Sequence, residues 1–153
     1  MTHAPDTSRL TAPARVVVRA EVTDRPLNVQ EHAAAVGGAS SGAVVTFAGV
    51  VRDHDHGRRV TYLEYEGHPT AQAVLEAVVA QVVAAGDVEA ASVAHRVGAL
   101  AIGDAALVVA VAGAHRREAF ETAARLVDEV KARLPIWKRQ VFPDGTDEWV
   151  DCP

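Results

Sequence analysis

Apolar side chains recur along this chain with two different periods, and the switches between them mark out the elements. Arg15–Thr23 (RVVVRAEVT) is rich in β-branched residues and predicts a first strand, broken at Pro26. Asn28 can cap a short helix, with Glu31 three residues on as its capping-box partner, and Gly37-Gly38 ends it. Ala43–Val51 (AVVTFAGVV) predicts a buried strand, Asp53–Gly57 a turn, and Val60–Glu66 (VTYLEYE) the returning strand of a hairpin. Pro69 suits the first position of a helix whose apolar residues follow at Ala71, Val74, Leu75, Val78, Val79, Val82 and Val83, with Gly86 as terminator. Glu89–Val97 and Ala105–Ala112 predict two strands linked around Gly103-Asp104. A second long helix runs from about His115 to Leu134, with Phe120, Ala123, Val127, Val130 and Leu134 as its stripe and Pro135 as its stop. Trp137–Phe142, a Pro143-Asp144-Gly145 turn and Glu148–Val150 complete the chain.

Hairpins interleaved with helices predict an α+β fold with an antiparallel or mixed sheet and two long helices, not a doubly wound parallel sheet. A chain of 153 residues suits one domain, expected over 15–153 behind a flexible tail at 1–14. That tail has no apolar core segment and does not read as a signal peptide. The most apolar run, Val97–Ala114, is interrupted by Gly98, Gly103, Asp104 and Gly113, so no membrane span is expected. A net charge of −5 argues against a general nucleic-acid binder. One cysteine, Cys152, allows no disulfide within the chain and fits a cytoplasmic protein.

The cations are distributed unevenly. Thirteen of the fifteen basic residues are arginine, and the two lysines are Lys131 and Lys138. Where any cation would serve, this chain uses arginine. The lysines are then either solvated charges or amines required as amines, since a guanidinium effectively cannot give up its proton. Phe120 and Lys131 are eleven residues apart, so they fall within about 20° of each other on a helix. A lysine in the apolar stripe either snorkels or lines a cavity, and Lys138 nearby favours the cavity. At the other end of that helix, His115, Arg116 and Arg117 stand where unpaired N–H groups attract an anion, unless the arginines pair with Glu118 or Glu121.

Arg52 follows a buried strand and precedes the turn Asp53-His54-Asp55-His56. Imidazole and carboxylate both bind metals, so a divalent-metal enzyme built on His54 and His56 is one alternative; a solvated turn is the plainer reading. A second alternative is a non-enzymatic module that holds an anion or a partner's acidic tail. Glycine-rich phosphate loops, CxxC pairs and GxSxG are all missing from the sequence.

Five segments, in order and at compatible spacing, carry a family resemblance: GAVVTFAGVVRDH (42–54), LEYEGHP (63–69), AHRVGALAIGD (94–104), AHRREAF (114–120) and KARLPIWKR (131–139). Together they resemble the large, catalytic subunit of molybdopterin synthase. The resemblance implies an α/β-hammerhead fold with a small extra β subdomain. It implies a sulfurtransferase that converts cyclic pyranopterin monophosphate to molybdopterin in molybdenum cofactor biosynthesis. Sulfur would arrive as the C-terminal thiocarboxylate of a small ubiquitin-like subunit ending in Gly-Gly, within a heterotetramer built on a homodimer of large subunits. No tightly bound cofactor and no metal are implied, and neither a nucleic acid nor a membrane is among the expected partners.

The resemblance also assigns residues. Lys131 and Lys138 match the catalytic lysines. Val50, Val51, Arg52, His115, Arg116, Arg139 and Gln140, with the two lysines, match substrate-binding positions, and Phe47 matches an aromatic residue lining the same region. One consequence is geometric. Arg116 and Lys131 are fifteen residues apart, about 22 Å along one helix. A small phosphopterin cannot easily touch both ends. The expectation is therefore a composite site at a two-fold interface, with Arg52, Lys131 and Lys138 from one chain and His115 and Arg116 from the other.

Overall fold

The computed structural model describes residues 12–152, so most of the expected N-terminal tail lies outside the described residues. The strands are β1 (Val16–Thr23), β2 (Ala43–Val50), β3 (His54–Asp55), β4 (Arg58–Arg59), β5 (Tyr62–Gly67), β6 (Ala90–Arg96), β7 (Gly98–Leu100), β8 (Ala105–Gly113), β9 (Ile136–Val141) and β10 (Asp147–Cys152). The helices are α1 (Val29–Val36), α2 (Ala71–Ala85) and α3 (Arg116–Arg133).

Two four-stranded sheets result. The first has the order β1-β6-β8-β2, with β1 parallel to β6 and the other pairs antiparallel. The second, β10-β9-β5-β7, is antiparallel throughout, and β3 and β4 form a short separate hairpin. The α+β class with a mixed sheet is thus as expected. Helices α2 and α3 pack against the first sheet and each other, and α1 also packs on it. Strand β8 is buried along nearly its whole length because the sheet is covered, which explains its uninterrupted apolar run. The main core joins Leu75, Val78, Val79 and Val82 of α2 to Val109, Val111, Ala119, Leu126 and Val130. A smaller cluster of Val51, Leu63, Leu100 and Ala106 fills the seam between the sheets.

Local signals explain most boundaries. Asn28 accepts a hydrogen bond from the Glu31 N–H at 3.1 Å and caps α1; the Glu31 side chain turns instead to Arg19, 3.6 Å away. Pro135 follows the end of α3. Gly42 is required by proximity: a Cβ there would stand 2.6 Å from the Ala114 carbonyl oxygen, at the point where β2 starts beside the beginning of α3.

Four expectations need correction. Strands β2 and β5 are not hairpin partners. Strand β2 pairs with β8, its ladder slips between Gly49 and Val50, and Val51 turns into the seam cluster. The β3–β4 hairpin, read as a plain turn, then hands the chain to the second sheet. Helix α2 starts at Ala71 behind Thr70, two residues after Pro69. Phe120 is not in the buried stripe of α3 but 61% exposed. The stripe is Ala119, Thr122, Ala123, Leu126 and Val130, whose small members let the helix lie close to β8. Strand β7 was not anticipated.

Candidate active site

A cavity of about 390 Å³ opens at the seam where the two sheets meet. The end of β2 and the residues after it supply Val50, Val51 and Arg52; β5 supplies Leu63 and Tyr65; β6 supplies His95; the last turns of α3 supply Lys131; β9 supplies Lys138 and Gln140. Both lysines of the chain therefore line one cavity, seven residues apart in sequence but brought together by the turn at Pro135.

The alternation of β9 sorts its residues. Lys138 and Gln140 face the cavity, whereas Trp137 and Arg139 belong to the other face of the strand. Arg139 donates from Nε to Asp147 Oδ2 at 2.7 Å and stands 4.0 Å from Glu64, so it is engaged away from the cavity. Phe47 likewise packs against the main core and not on the cavity wall. His115 and Arg116 lie at the opposite end of α3, which is continuous from Arg116 to Arg133. Neither borders this cavity, and neither they nor Arg117 makes an ion pair among the described residues.

Three wall residues have no substrate-site role in the sequence reading, where Asp55 figures only in the candidate metal turn. Asp55, in the β3–β4 hairpin, accepts from Gln140 Nε2 at 2.8 Å and stands 3.4 Å from Arg52 Nη2. That hydrogen bond first, then the nearby His56, Lys138 and Arg52, hold its carboxyl below the usual aspartate value against the cost of partial burial. His95 is 1% exposed and donates from Nδ1 to the Arg96 carbonyl at 2.8 Å. Burial, helped by the charge of Lys131, lowers its pKa to about 4 and keeps the ring neutral at pH 7. Tyr65 meets it edge to face, with ring centroids 5.1 Å apart. The only sequence signals were a lone histidine in an apolar strand and an unusually charged turn.

The metal alternative gains no support. Among the described residues no three His, Cys, Asp or Glu side chains converge on a metal position. His56 is 92% exposed on left-handed backbone (φ 48°), and His54 pairs with its neighbour Asp53 at 2.9 Å.

Residues 22–133 match the model of the MoaE protein family. The chain belongs to the MoaE family. It is 41% identical over 130 residues to molybdopterin synthase catalytic subunit 1 of Mycobacterium tuberculosis, covering 84% of this chain and 88% of that one. It is 35% identical over 133 residues to the Bacillus subtilis catalytic subunit, covering 86% and 84% respectively. The crystal structure of molybdopterin synthase from Staphylococcus aureus superposes with a TM-score of 0.79 at 30% identity, over 85% of this chain and 95% of that one. A complex of subunits 1 and 2 of molybdopterin-converting factor from Helicobacter pylori shares the fold at a TM-score of 0.63 and 22% identity, over 86% of this chain and 88% of that one. As a MoaE chain it is a catalytic, sulfur-transferring subunit of molybdenum cofactor biosynthesis. No helix among the described residues is long and apolar enough to cross a membrane.

Proposed function

We propose that the seam cavity binds cyclic pyranopterin monophosphate and admits the thiocarboxylate tail of a small ubiquitin-like subunit ending in Gly-Gly. The observation that carries this reading is the convergence of Arg52, Lys131 and Lys138 on one cavity in a chain that has no other lysine. A guanidinium suits the phosphate, and amines suit proton transfer as sulfur replaces oxygen on the substrate. The apolar walls, Val50, Val51 and Leu63, suit the pterin ring. The pterin enters as substrate, and the reading calls on no tightly bound cofactor. The compartment it fits is the cytoplasm.

The site is completed by a second copy. His115 and Arg116 are about 22 Å along α3 from Lys131, and the helix does not break between them. Strand β2 is an edge of its sheet, flanked by α3, and it carries exposed Val44 and Val50. Phe120 lies on the side of α3 that also carries Lys131, and it is exposed. Antiparallel approach of two β2 edges about a two-fold axis would bring one copy's His115 and Arg116 beside the other's Arg52 and Lys131. The heterotetramer is then a homodimer with a small subunit at each end. The test is conversion of the phosphopterin by the purified chain with a thiocarboxylated small subunit. Wild type should form the dithiolene and an Arg52→Ala variant should not; equal turnover by both would overturn the assignment of the cavity.

A further inference from the structure

The cavity wall contains three cations, Arg52, Lys131 and Lys138, and one carboxylate, Asp55, which is engaged with Arg52. Asp55 Oδ1 stands 3.4 Å from Arg52 Nη2 and 3.8 Å from His56 Nε2, while Oδ2 accepts from Gln140 Nε2. The same Gln140 nitrogen donates to Glu148 Oε1 at 3.1 Å, so both amide hydrogens are committed to carboxylates. Gln140 is 2% exposed and held by its strand, and the Asp55 side chain is only 13% exposed. Asp55 is thus fixed from behind by a buried amide while its other oxygen faces the arginine of the cavity. A surface aspartate has no need of such an anchor.

We infer that Asp55 is a built-in counter-anion. Until a ligand displaces it, Asp55 occupies Arg52, and it thereby discriminates against small free anions such as inorganic phosphate. This rests on reading the cavity as a phosphate-ester site. A bare phosphate has to displace Asp55 from Arg52 using electrostatics alone. A phosphopterin also gains apolar contact with Val50, Val51 and Leu63, which offsets that displacement. Removing the charge but not the shape of Asp55 should tighten phosphate binding about tenfold at low ionic strength, the order expected of one charge acting across a half-solvated cavity.

The experiment titrates inorganic phosphate alone into the full chain by calorimetry, for wild type, Asp55→Asn, Asp55→Glu, Arg52→Ala and the double variant Asp55→Asn/Arg52→Ala. Expected are about tenfold tighter binding for Asp55→Asn, a near-wild-type value for Asp55→Glu, and loss of the gain in the double variant. Phosphate affinity in Asp55→Asn equal to or weaker than wild type overturns the inference. Should Asp55→Asn fail to give a cooperative melt, Asp55→Ser makes the same comparison. The underlying reading fails separately: if Arg52→Ala alters neither phosphate affinity nor turnover, the cavity is not the anion site. If Arg52→Ala weakens phosphate but loss of the Asp55 charge does not tighten it, only the counter-anion role falls.

Discussion

Mixing two inactive variants tests the composite site most directly. Arg116→Ala removes a cation at the start of α3, and Lys131→Ala removes an amine in its last turn. In a dimer with shared pockets, each homodimeric variant has two damaged sites. A heterodimer of the two concentrates both losses in one pocket and leaves the other intact. Equal mixing with free exchange makes about half of the dimers hetero, each with one working pocket of two, so about a quarter of wild-type activity should return. The assay is dithiolene formation after exchange, with the heterodimer fraction measured by native mass spectrometry on differently tagged chains. The contrast with a single-chain site is sharp: there every pocket in the mixture has lost either Arg116 or Lys131, and activity stays at the level of the separate variants. No recovery in a sample shown to contain heterodimers would refute the shared site.

Two further outcomes follow from the cavity. Lys131→Arg and Lys138→Arg keep the charge but not the amine, so each should lose most turnover while its melting temperature and dimeric state stay near wild type; near-normal turnover in either removes the catalytic assignment of that lysine. Arg52→Ala and Arg116→Ala should weaken phosphopterin binding by about tenfold or more, with capture of the small subunit changed much less, because each loses a charge-assisted contact of about 1.5–3 kcal/mol. Equal effects on both partners, measured by calorimetry, would count against a phosphate role.

Elements built from local signals were the most legible in the sequence. The helix period, the Asn28 cap, Gly86 and Pro135 fixed three helices to within about two residues of their observed ends. Strand partners were not legible, because pairing is settled by what else is available. Ala43–Val51 followed by Val60–Glu66 reads as a hairpin, yet β8 offers β2 a longer apolar partner on a sheet already covered by helices. Strand β7, only three residues long, gives no period to detect. At the site, unusual residue choice revealed the two lysines. Asp55 and His95 acquire their character from tertiary neighbours, the buried amide of Gln140 for one and burial beside Lys131 for the other, and no spacing within the sequence announces that. The exposure of Phe120 has the same origin: alanine at 119 and 123 suits a helix lying close to its sheet, which turns the larger ring outward.

His95 also makes the stability of the fold depend on pH in a window where few other groups contribute. Its pKa is about 4 in the folded chain against 6.5 for an unperturbed histidine. Below pH 6.5 the unfolded chain therefore binds a proton that the folded chain does not, so stability falls as the pH drops and stops falling near pH 4. Between pH 7 and pH 5 this one residue should remove about 2 kcal/mol. His32, buried against Ser92 with its pKa also lowered by burial, acts in the same direction. The carboxylates whose pKa values are lowered, Asp53, Asp55 and Asp144, weaken the fold only below about pH 4, because their unfolded value is 3.8. Urea unfolding at pH 7, 6 and 5 measures the slope. His95→Asn keeps a donor near the Arg96 carbonyl and cannot be protonated. It should start less stable at pH 7, because it leaves a gap beside Tyr65, but lose about 2 kcal/mol less than wild type on going to pH 5. The two proteins would have to lose stability in parallel for the buried, neutral imidazole to be the wrong account. Such a result would also remove the reason for expecting a neutral ring beside Lys131 in the working site.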